Sequence, residues 1–291
     1  MTFVFDIDDT ISDTDGYSEK YIEQFFIAHK IPYKKTNQNN PSLPKSEYLY
    51  GTRHIITLVL TAVLCVVFTL IFRKRSERAK KVLFYCFGGF FLFFEISTRI
   101  VNFIIETDFS FANIMKILLP MHICSVMVWF FIVAIFTRKQ FLLNYSVIGG
   151  VLATIAFLLF PAVGLNKVYM SFTCLYSVMS HMAGFICCVL LMTLGVAKFE
   201  LKKIWQPLVC FAVMFCWGAL LNFVIFPGSD YMYMVNDPLE LGLPFPFQIL
   251  YIAIILIYTL AYHLIYEWKE KIKATRKINN SKLFDEKENK K

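Results

Sequence analysis

Seven apolar runs of bilayer length dominate this chain, and they leave few folds open to it. They cover approximately residues 54–72, 82–105, 117–137, 141–162, 171–197, 207–227 and 246–267. A helix needs about 20 apolar residues to cross the roughly 30 Å hydrocarbon core of a bilayer. In that medium every backbone N–H and C=O must be satisfied internally, so runs of this kind fold as helices. Composition agrees: 57% of the residues are hydrophobic, 31 of the 291 are Phe, and only 17% are charged, against about 25% in soluble domains. The expected fold class is an all-α integral membrane protein with seven transmembrane helices and a short N-terminal extension.

The connecting loops alternate in charge. Residues 73–81 (RKRSERAKK) hold six Lys or Arg, whereas 106–116 (ETDFSFANIMK) hold one. Arg138 and Lys139 follow, then Lys167 alone, then Lys198, Lys202 and Lys203. No basic residue falls between Pro227 and Phe247, and a Lys-rich tail closes the chain. By the positive-inside rule this puts the N-terminus outside and the C-terminus in the cytoplasm of a multi-pass cell-membrane protein. The net charge of +8 sits in those loops and in the tail. It suits anionic lipid head groups better than nucleic acid, so membrane lipids are the expected partners. Residues 269–291 read as a basic, disordered cytoplasmic tail.

All eight cysteines lie in apolar runs, and no CxxC or Cys/His zinc spacing occurs. They read as buried small hydrophobes, with neither a structural metal nor a cofactor implied.

Polar side chains within the spans are the candidate site, because charge at mid-membrane is costly and usually faces a bundle interior. Glu95, Arg99 and Asn102 recur at i, i+4 and i+7 and share one helix face. They form either a register-fixing ion pair or a head-group site. The third span carries Pro120, His122, Cys124 and Ser125. His122 suits a general base; Cys124, two residues on, points to another side of a helix and is a weaker candidate nucleophile. The fifth span offers Ser177, Ser180 and His181, with Ser177 and His181 on one face. A Ser–His pair suggests acyl chemistry; a histidine bonded to a neighbouring helix fits equally. Asn222 closes the sixth span, and Asp230 and Tyr231 follow in a long outer loop that can cover a cavity. The expected cavity is lined by Glu95, Arg99, His122, His181, Asn222 and Asp230.

The strings YGTRHIITL (50–58), LLPMHICSV (118–126) and LLNFVIFPGSDYMYMVNDP with a later PFPFQ resemble the YwaF-like, TMEM164-related integral membrane proteins. The likeness covers about residues 48–268. It implies a seven-helix membrane domain and, from the acyl transfer between phospholipids credited to its eukaryotic relatives, an intramembrane Cys and His. His122 matches the family histidine of the third span; the cysteine position stays open between Met121 and Cys124. Asp230 stands where the family has Asn. Phospholipid acyl transfer or hydrolysis is the leading expectation, and a carrier of a small polar or lipid solute is the alternative.

Residues 1–40 stand apart. An apolar strand ending in Asp6, Asp8 and Thr10 resembles the first motif of haloacid-dehalogenase-like phosphatases, where the first Asp accepts the phosphoryl group. One strand and one helix cannot bury a core, so a phosphatase fragment fused to a membrane domain ranks third among the functions.

Overall fold

The computed structural model describes residues 48–106, 109–159, 165, 172–234 and 247–288. The phosphatase-like residues Asp6, Asp8 and Thr10, the linker after them and residues 235–246 of the long loop lie outside the described residues. Eight α-helices are formed among the residues described: α1 Thr52–Phe72, α2 Glu77–Ile105, α3 Phe111–Leu118, α4 Ile123–Thr137, α5 Gln140–Leu159, α6 Phe172–Thr193, α7 Trp205–Leu220 and α8 Phe247–Glu288. Six helices are long and apolar enough to cross a membrane, and the bent pair α3–α4 supplies a seventh crossing if counted as one span.

That bent pair forms the span expected over 117–137, interrupted beside Pro120. The axes of α3 and α4 differ by 53°. Leu119 precedes a proline, which pushes it out of the helical region, and its ψ is 146°. His122 is likewise extended, at φ −104° and ψ 156°, before α4 begins. At 15 residues, α4 is about 22 Å long, too short to cross alone.

Other boundaries follow local chemistry. α2 starts five residues before the apolar run, because Ser76 caps it by accepting from the Ala79 N–H at 3.3 Å and Glu77 stands in its first turn. Arg138 takes a left-handed conformation, φ 55°, and turns the chain between α4 and α5. At the other end of the molecule, α8 continues to Glu288 through the stretch expected as an irregular tail. Ion pairs one turn apart, Lys271 with Glu267 and Lys273 with Glu270, support that extension.

α5 is the central element, buried along most of its length between α4, α6 and α7. Gly150 permits this closeness, since a Cβ there would lie 2.7 Å from the Cys188 sulfur of α6. Phe91 stacks on Phe131 at 5.3 Å, joining α2 to α4. Tyr145 is buried between the ring edges of Phe130 and Phe211.

Candidate functional site

The polar residues of the spans fall at several places in the fold. They divide into a braced network, a clamp and a small open pocket.

The network is built on α2. The Arg99 guanidinium pairs with the Glu95 carboxylate one turn back, as the spacing predicts. Arg99 also donates to the Glu95 carbonyl at 3.0 Å and, through Nε, to the Leu118 carbonyl at 3.1 Å. Its face lies over the Trp129 ring, 5.3 Å from the centroid. The second Glu95 oxygen accepts from the Tyr176 hydroxyl of α6 at 2.6 Å. Leu118 ends α3, so Arg99 satisfies a carbonyl that the helix break leaves without an intrahelical donor. The Trp217 indole N–H does the same for the Pro120 carbonyl at 2.9 Å. The ion pair and these bonds brace the broken span. Asn102, on the same face of α2, is not part of this network.

The clamp lies at the end of α7. A π-helical turn, Leu221–Ile225, presents Asn222 to the backbone of Tyr231. The Asn222 amide donates to the Tyr231 carbonyl at 2.9 Å, and its oxygen accepts the Tyr231 N–H at 2.7 Å. Both ends of that amide are engaged, which ties the outer loop to α7. His122 is exposed at the break and meets Tyr231 edge-on at 5.8 Å. Asp230 begins the short 3-10 turn beside them.

His54 at the head of α1 is likewise fully engaged. Nδ1 accepts the Tyr50 N–H at 2.9 Å, which leaves Nε2 carrying the proton donated to the Leu158 carbonyl at 2.6 Å. This gives the YGTRH string a physical role: it staples the entry of α1 to the end of α5.

The open pocket has a volume of about 10 Å³, and its wall includes Cys124, Thr154, Ser180 and His181. His181 donates from Nδ1 to the carbonyl of Ser177 at 2.6 Å. That bond joins the two residues through the backbone, not through the serine hydroxyl the sequence suggests. It fixes the tautomer, so neutral Nε2 is an acceptor; Nε2 is buried without a hydrogen-bond partner among the described residues. Phe157 stacks on the ring at 3.9 Å and holds its plane. Cys124 comes from the first turn of α4, its sulfur 3.9 Å from the Ala153 carbonyl. Ser180 bonds back to the Ser177 carbonyl at 3.1 Å. A cysteine thiol and an imidazole with one open nitrogen thus face the same space.

A family model described as the TMEM164 family matches residues 49–266. The chain belongs to the TMEM164 family. No curated protein and no solved structure matches it. The family match begins just before the His54 staple and ends within α8, leaving Asp6, Asp8 and Thr10 outside it. This TMEM164-family chain is a multi-pass membrane protein by its match and by its apolar helices. Among the described residues no group of three or more His, Cys, Asp or Glu side chains could hold a metal ion.

Tyr176, Thr154 and Trp217 escape the sequence reading. Tyr176 and Glu95 are 81 residues apart, and nothing local marks either Tyr176 or Trp217 as a polar partner. Cys124 and His181 are both legible as candidates; their shared pocket is not.

Proposed function

We propose that the protein transfers or hydrolyses acyl groups of membrane phospholipids, with Cys124 as nucleophile and His181 as general base. The observation that carries this reading is the pocket shared by the Cys124 thiol and a histidine whose tautomer leaves Nε2 open. Covalent catalysis requires a nucleophile and a base oriented by a third group; here the two line one pocket, with the thiol directed to the Ala153 carbonyl and bonded to no imidazole nitrogen. The orienting group is the Ser177 carbonyl, and Ser177 supplies no nucleophile in this reading.

The Cys124 sulfur attacks the ester carbonyl of a donor phospholipid while its proton passes to His181 Nε2. Collapse of the tetrahedral adduct breaks the acyl C–O bond, and the proton returns to the departing lysophospholipid oxygen. The hydroxyl of a second lysophospholipid then attacks the thioester, giving its proton to Nε2, and the thiolate recovers a proton from His181. Water in place of that acceptor completes hydrolysis. The pocket holds about one water-sized group, so the ester enters as Met127 and its neighbours adjust.

The loop charges favour cytoplasmic basic loops, with His122 and the outer loop on the opposite side of the membrane. His122 and Tyr231 then lie where a head group would approach.

The test is purified protein in vesicles containing an isotope-labelled phosphatidylcholine and an unlabelled lysophospholipid, followed by mass spectrometry. Labelled acyl chains should appear on the acceptor. His181→Gln should slow transfer about 10²–10⁴-fold, the usual contribution of a general base, and Cys124→Ala should abolish the thioester. Transfer unchanged in both variants would overturn the assignment. Unchanged lipids together with solute uptake would favour a carrier.

A further inference from the structure

α4 has a second apolar face that meets something other than the reaction pocket. Cys124, Met127, Val128 and Phe131 look into the pocket, whereas Val126, Trp129 and Val133 line a separate groove of about 330 Å³. At about 100° per residue these two sets fall on opposite sides of the helix. Leu142 of α5 and Val213 and Trp217 of α7 close the groove.

The geometry points to this groove as a binding site for one acyl chain of a membrane lipid, distinct from the chain that reacts at Cys124. Its volume lies at the lower end of the range for small-molecule sites, and the surface it offers is wholly apolar. The indole N–H of Trp217 is already donated to the Pro120 carbonyl. The groove is continuous with the lipid-facing surface: Val133 and Val213 belong to its wall and are also 44% and 57% exposed. An acyl chain from the surrounding bilayer enters there without crossing any polar barrier.

The walls argue against a second protein copy. Membrane helices approach one another through small residues, and this groove is walled by Trp, Leu and Val. The glycines of α5 and α6 pack inward instead, with Gly150 against Phe131 and Cys188 and Gly184 against Thr154. The groove is also held in shape before any ligand arrives. Trp129 lies under the Arg99 guanidinium, and Trp217 is tied to the Pro120 carbonyl, so two walls depend on the braced break between α3 and α4. A chain seated there spans α4, α5 and α7 and stabilises their packing by binding the folded state alone.

Of the four tryptophans in the chain, Trp129 and Trp217 line the groove, while Trp205 and Trp268 are exposed. Full-length protein carrying Trp205→Phe and Trp268→Phe is titrated, in vesicles, with phosphatidylcholine brominated along its acyl chain. Quenching should saturate at a low fraction of brominated lipid, and native mass spectrometry should find one phospholipid retained per chain. Val133→Phe with Val213→Phe, which fills the mouth, should reduce the saturable quenching at least threefold and release the lipid while the melting profile stays cooperative. Quenching linear in the brominated fraction, which needs no filled variant, would overturn the proposal. So would retention of the same lipid after filling, or a dimer that filling converts to monomer.

Discussion

Glu95 and His181 are polar side chains buried on helices that pack together, and the fold treats them in opposite ways. Both Glu95 oxygens are bonded, one to Arg99 and the other to Tyr176, and Arg99 in turn reaches the end of α3. His181 has one nitrogen tied to its own helix and the other left open toward a pocket that Cys124 shares. Charge inside a membrane is costly enough that the fold consumes it in bracing. A neutral imidazole is cheaper to bury and can keep one valence free, as both His181 and His263 do among the described residues.

The comparison breaks most visibly at Glu95. Glu95→Ala strands Arg99, and removing one partner of a buried pair costs about 3–5 kcal/mol. Thermal unfolding should show that loss, and Glu95→Ala with Arg99→Met should regain most of it. A Glu95→Ala protein of normal stability would mean the pair is not a brace. Tyr176→Phe removes a single hydrogen bond to the carboxylate and should cost about 1.5–3 kcal/mol in the same melt.

His54 tests the treatment of histidines. Both its nitrogens are used, so His54→Leu leaves the Leu158 carbonyl and the Tyr50 N–H unpaired and should destabilise by about 1–3 kcal/mol. His181→Gln loses one hydrogen bond, about 0.5–1.5 kcal/mol, while acyl transfer falls by orders of magnitude. If His181→Gln unfolds as readily as His54→Leu, the two histidines do the same structural work and the contrast fails.

Much of the fold was legible because its signals are local. Span length, Pro120 at the break and the Glu95–Arg99 spacing all report neighbours within one or two turns. Which of Glu95, Arg99, His122, His181, Asn222 and Asp230 meet one another was not legible. A polar residue in a span advertises its cost but not its partner. Asn222 looked like a ligand-binding amide and proved to be bonded at both ends to Tyr231. His122, expected as a base, lies exposed among the extended residues after Pro120 and meets Tyr231.

The sequence by itself determined that this chain lives in a membrane, where its crossings lie, and which few side chains are too polar to be there without a reason. Hydrocarbon permits no unsatisfied backbone, so those features follow from composition and spacing. Only the tertiary structure decided which polar groups are consumed and which stay open. That depends on pairs such as Tyr176 with Glu95 and Trp217 with Pro120. Their members come from different parts of the chain, and only packing sets the distance between them.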